Sequence, residues 1–176
     1  MQKITVYLPK TQYNKLSING VTGNVKIAKE YSFNAAEISL TTGNVDFSAS
    51  VLEDLKIKTT TGNVTVADNA VGSIDVSVTT GTVRLSKLTC KNDITVGVTT
   101  GRTYLTDITC ENLSSSGTTG NIDLTNVIAK ENLSVKRSTG NVKLDGIDAA
   151  EITLKTSTGN VTGLSLIHIS EPTRLG

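Results

Sequence analysis

The chain has 176 residues, of which 19% are charged and 3% aromatic, with a formal net charge of +1. A balance so near neutrality gives no electrostatic footprint for nucleic acid or an anionic membrane, and so few rings remove the usual stacking platforms for single-stranded nucleic acid. No apolar run approaches the roughly 20 residues of a membrane-spanning helix, and Met1-Gln2-Lys3 opens no secretory signal, so the reading is of a soluble chain whose export or anchoring signals are expected outside it.

In chain order, residues 1–13 read as a strand-like segment, Ile4-Thr5-Val6-Tyr7-Leu8, stopped by Pro9, and are expected to form a partial cap. Residues 14–163 are repetitive. A Thr-Gly pair recurs at Gly23, Gly43, Gly62, Gly81, Gly101, Gly120, Gly140 and Gly159, at spacings of 19 or 20. The residue after the glycine is Asn in six of the eight, and the departures are Thr82 and Arg102. So regular a period is the mark of a repeat architecture.

The apolar pattern sets the local structure of each unit. Seven residues before the glycine stand Leu16, Ala36, Leu55, Ile74, Ile94, Leu113, Leu133 and Ile152; five before it stand Ile18, Ile38, Ile57, Val76, Val96, Ser115, Val135 and Leu154. Two after it stand Val25, Val45, Val64, Val83, Thr103, Ile122, Val142 and Val161; four after it, Ile27, Phe47, Val66, Leu85, Leu105, Leu124 and Leu144. A spacing of two with β-branched enrichment is the strand signal. Each unit therefore reads as a strand, a tight corner at Thr-Gly, a strand, and a looser return carrying Leu88, Ile108, Val127 and Ile147. Glycine suits the corner because it tolerates positive φ and close approach. Parity predicts that the threonine before it points inward.

Units this short cannot hold the crossover of a βαβ fold. Identical residues at one position every 19 or 20 are what a stack requires, in which equivalent side chains form ladders about 4.8 Å apart. The expected fold is all-β: a single-stranded parallel β-solenoid of about eight rungs, right-handed by the crossover rule. The segment 164–176 breaks the repeat. Leu164 to Arg174 resembles the translation of a transposon-end sequencing adapter, so 164–176 is expected to be an artefactual, non-native tail. His168, the single histidine, then belongs to no site.

No residue set predicts catalysis, a cofactor or a metal. Cys90 and Cys110 each lie nine after their glycine, in a column with Leu52, Val71, Ala129 and Ala149 that is expected to face inward. Adjacent rungs bring the pair within disulfide reach, but buried reduced thiols are favoured, and a metal would need further ligands. The acids are dispersed. Asp54, Asp93 and Glu151 share a column interrupted by Ser73, Asn112 and Asn132, which reads as turn chemistry rather than acid–base catalysis. An outward Thr column, Thr41, Thr60, Thr79, Thr99 and Thr118, lacks the matched second column that an ice-binding lattice needs, because its neighbour reads Asn19, Ser39, Lys58, Ser77, Gly97, Ser116, Lys136 and Lys155.

The opening Ile4-Thr5-Val6-Tyr7-Leu8-Pro9-Lys10, followed by repeats such as Leu55-Lys56-Ile57-Lys58-Thr59-Thr60-Thr61-Gly62-Asn63-Val64, resembles a bacterial β-strand-repeat family of adhesin-like proteins, itself a domain of unknown function. The resemblance covers residues 1–163. It implies a protein of the bacterial cell envelope or extracellular surface, often tethered by a membrane segment outside the repeats. The function expected is that of a non-enzymatic interaction scaffold with an unknown surface ligand or protein partner. The alternative is a structural element that assembles end to end through its open rungs, as cytoskeletal β-helix filaments do.

Overall fold

The computed structural model of the protein describes residues 7–163. The adapter-like tail and most of the strand-like opening lie outside those residues. Eleven strands follow one another: β1 (Gln12–Thr22), β2 (Val25–Ile27), β3 (Ser32–Thr42), β4 (Val45–Phe47), β5 (Ser50–Thr61), β6 (Val64–Cys90), β7 (Asp93–Cys110), β8 (Asn112–Thr119), β9 (Ile122–Thr139), β10 (Val142–Thr158) and β11 (Val161–Gly163). Every pairing is parallel. The register follows the repeat, with Ile18, Ile38, Ile57, Val76, Val96, Ser115, Val135 and Leu154 in one continuous line of partners. The fold is therefore a parallel β-solenoid of about eight turns.

The core is a set of stacked ladders. All four apolar columns read from the sequence are buried through the middle of the stack. A fifth column, three residues before each glycine, is buried with them: Leu40, Thr59, Val78 and Val98. Each rung can bury these residues only against its neighbours, which is why the pattern must repeat.

The threonine before the glycine departs from expectation. Thr22, Thr42, Thr61, Thr80, Thr100, Thr119, Thr139 and Thr158 are all exposed. Strand alternation governs the side chains only up to the third residue before the glycine; beyond it the chain is already turning, and both threonines of the Thr-Thr pair stand on the outside of the bend.

The return is also tighter than expected. Asp68, Lys87, Asp107, Asn126 and Gly146 each lie six after their glycine and have φ between 52° and 62°. This is the left-handed region, where Asn, Asp and Gly are most at ease. A single residue therefore makes a second corner, and β6 and β7 run through it without a break. The first two rungs turn differently. Lys29 and Ala49 hold the equivalent places without positive φ, and Ala49 is buried. That change moves the next inward place forward by one. Val51, not Leu52, pairs with Val71, and Leu52 is 51% exposed, which corrects the inward placement expected of it.

Candidate functional site

The Asn column explains itself structurally. Asn24 Oδ1 accepts the main-chain N–H of Asn44, Asn44 Oδ1 that of Asn63, and Asn63 Oδ1 that of Thr82, at 2.9 to 3.0 Å. The same bond recurs from Asn141 to Asn121 and from Asn160 to Asn141. The ladder pauses where the sequence departs from Asn, at Thr82 and Arg102. The acid-bearing column behaves as turn chemistry in the same manner. Asn112 Nδ2 donates to Asp93 Oδ1 at 2.8 Å and Asn132 Nδ2 to Asn112 Oδ1 at 2.9 Å. Beside it runs a shallow groove of about 150 Å³, lined by Asp54, Lys56, Asp75 and Asp93 among others.

Cys90 and Cys110 are free, buried thiols. They stand on neighbouring rungs, beside the Thr89–Thr109 pair. Cys90 Sγ donates to the Gly72 carbonyl at 3.2 Å. Burial pushes the Cys110 thiol up to about 12 and raises Cys90 as well, so neither is an activated nucleophile. Among the described residues, no three His, Cys, Asp or Glu side chains are grouped to hold a metal.

Thr59 is a buried polar residue two rungs earlier, but several departures from the repeat lie around the rung of Gly101 and face both ways. Inside, Thr103 and Ser115 replace aliphatic residues and are fully buried. Gly117 and Arg137 occupy the column that elsewhere holds Leu40, Thr59, Val78 and Val98, and Arg137 is 4% exposed. Thr103, Gly117 and Arg137 belong together. Gly117 is the register partner of Arg137, and a Cβ at Gly117 would collide with Arg137 Nη1. The guanidinium thus fills the space that the glycine leaves. The β7–β8 ladder pairs Gly97 with Ser116 and then Thr100 with Thr119, passing over Val98. Arg137 Nη1 donates to that Val98 carbonyl, and Nη2 donates to Thr103 Oγ1, both at 2.9 Å. Among the described residues, Arg137 Nε and Ser115 Oγ have no hydrogen-bond partner. Burial pulls the Arg137 pKa down to about 10, so the side chain is still a cation at neutral pH. Taking a guanidinium out of water without a carboxylate costs several kcal/mol. The two hydrogen bonds and the vacated Gly117 position offset part of that.

Outside the same strand stand Arg102 and Tyr104. Arg102 Nη1 donates to the Tyr104 hydroxyl at 3.3 Å, and the Arg84 guanidinium carbon lies 4.9 Å from the centre of the Tyr104 ring. Arg84, Tyr104 and Asp123 are consecutive partners across three rungs. The hydrogen bond to Tyr104 and the nearby Asp123 raise the Arg102 pKa above its ordinary value. Three of the chain's four arginines therefore converge on residues 102–104, two from solvent and one through the core. The sequence signalled this only as two broken Asn positions and a lone Thr103; the inward place of Arg137 needed the fifth buried column, which the four-column reading lacked.

No helix among the described residues is long and apolar enough to cross a membrane. No curated protein and no solved structure matches the chain. The Toastrack DUF4097 family pattern matches residues 1–98 and again residues 91–168, spanning the whole solenoid with its stacked ladders and corner glycines. With that coverage and this repeat fold, the chain belongs to the Toastrack DUF4097 family, a domain of unknown function.

Proposed function

We propose that this solenoid is a non-enzymatic module of the bacterial cell envelope that holds out a rigid face for adhesion or scaffolding. One observation carries the reading. The stack presents a regular polar surface, and where the Asn column is broken at Arg102 that side chain joins Arg84 and Tyr104 in one connected outward group. Rules of consistency are broken in folded proteins chiefly where function requires it. The thiols support a passive role, being buried and raised in pKa.

The test is placement in the cell. Antibody against the full chain should label intact cells of the source bacterium, and protease added outside should remove the label. Labelling that appears only after the cells are opened would overturn the surface reading.

A further inference from the structure

We propose that Arg84, Arg102 and Tyr104 form a docking point for the carboxylate or sulfate groups of an acidic polysaccharide. The proposal rests on the surface-module reading and names the partner for it. Both guanidinium groups are exposed and both are held by one ring. Arg84 lies over its face and Arg102 donates to its hydroxyl. Arginine offers a planar fork of donors that matches an oxyanion in two-point geometry. Each guanidinium retains donors that the ring does not use. Fixing the two side chains in advance lowers the ordering cost of binding.

The strand beneath is braced from within. Thr103, between Arg102 and Tyr104, receives the Arg137 Nη2 hydrogen bond at 2.9 Å. The two outward side chains therefore project from a segment fastened on both faces, by neighbouring strands along its edges and by a buried arginine behind it.

The surroundings select the kind of partner. Thr82, Ser86, Thr106 and Thr125 surround the arginines on the outward positions of neighbouring rungs, and none is a large apolar residue. A protein partner would want a desolvated anchor, and the one aromatic ring here, Tyr104, already has Arg84 over its face and Arg102 on its hydroxyl. Hydroxyl groups instead suit the many hydroxyls of a sugar chain. Two cations beside Asp123 make too small a charge for a nucleic-acid backbone. Two guanidinium groups in solvent make one contact weak, and useful affinity must come from an anion that repeats along a polymer.

The experiment uses the full chain on a sensor surface against polygalacturonate, dextran sulfate, neutral dextran and poly-glutamate at moderate salt. Binding to polygalacturonate, to dextran sulfate or to both is expected, with none to neutral dextran; the two charged polymers separate carboxylate from sulfate recognition. Arg84→Gln with Arg102→Gln should weaken binding at least tenfold. Tyr104→Phe, which removes only the hydroxyl that Arg102 uses, should weaken it by a smaller factor. Circular dichroism should show all variants folded, because the substituted side chains lie on the surface. Failure of the parent chain to bind either acidic polysaccharide, equal binding by the double arginine variant, or equal binding to poly-glutamate would overturn the proposal. Surface labelling of cells would be untouched by any of these results, so this inference can fail while the envelope reading stands.

Discussion

The two corners of each rung solve the same geometric problem with different chemistry. At the first corner every residue is glycine, with φ between 128° and 152°. At the second, the residues are Asp68, Lys87, Asp107, Asn126 and Gly146, with φ near 55°. A φ near 55° therefore does not demand glycine, whereas φ between 128° and 152° lies where L side chains are rarely found. The corners also differ in their distance to the rung below. From Gly43 onward, a Cβ at each corner glycine would run into the main-chain carbonyl of the preceding glycine, whereas at Gly23 no described residue lies within 4 Å. The first corner needs glycine for its backbone conformation and, from Gly43 onward, for stacking as well; the second is set by a left-handed conformation that several residues reach.

That difference can be broken experimentally, beginning with the largest effect. Gly81→Ala should cost at least about 4 kcal/mol, because the collision is with main chain that is itself fixed above and below. Urea unfolding would measure it, and a loss under about 1 kcal/mol would refute the stacking account. Gly23→Ala has the same φ problem without the collision. It should cost about 1–3 kcal/mol, the strain alone. Equal losses at Gly81 and Gly23 would mean that conformation, not contact, decides both. The smallest effect is expected at the second corner. Asp107→Gly relieves a left-handed non-glycine residue but gives up the Asn126 Nδ2 bond to Asp107 Oδ1 at 2.7 Å and adds chain entropy to the unfolded state. Its stability should stay within about 1 kcal/mol of the parent.

The buried thiols give an independent readout of the same comparison. Cys110 is fully buried, with a pKa raised by burial to about 12, so at neutral pH a thiol reagent should reach it only when the stack opens. Trapping should be slow in the parent and in Asp107→Gly, and much faster in Gly81→Ala. Rapid labelling of the folded parent would contradict the burial.

The two corners also show why the sequence was legible in one place and silent in another. The first corner repeats an identity, because its φ of 128° to 152° and, from Gly43 onward, a main-chain collision exclude every residue but one. The second repeats only a conformation, and Asp, Lys, Asn and Gly all reach it, so no letter recurs to be seen. The four apolar columns could be read because burial demands aliphatic residues at a period of two. The inward placing of the threonines failed because that period holds along a strand and not around a bend. Leu52 failed for a related reason. The rung between Gly43 and Gly62 turns at Ala49 without a left-handed residue, and the count to the next inward place falls short by one. Arg137 was the hardest. Its column held Thr59 and Gly117 as well as aliphatic residues, so composition did not mark it as core; only its fit into the space above Gly117 does.

The asparagine ladder has a direction, and that bears on the order in which the chain can fold. Each Asn oxygen accepts from the rung that follows it in sequence, so a finished rung presents an acceptor to the segment leaving the ribosome next. Rungs can be laid down one after another as synthesis proceeds. The handover lapses at Thr82 and Arg102, and there the fastening comes from the opposite side. Arg137 reaches back over 34 residues to Thr103 and over 39 to Val98. The bonds that brace the strand bearing Arg102 and Tyr104 can thus close only after two further turns have been made.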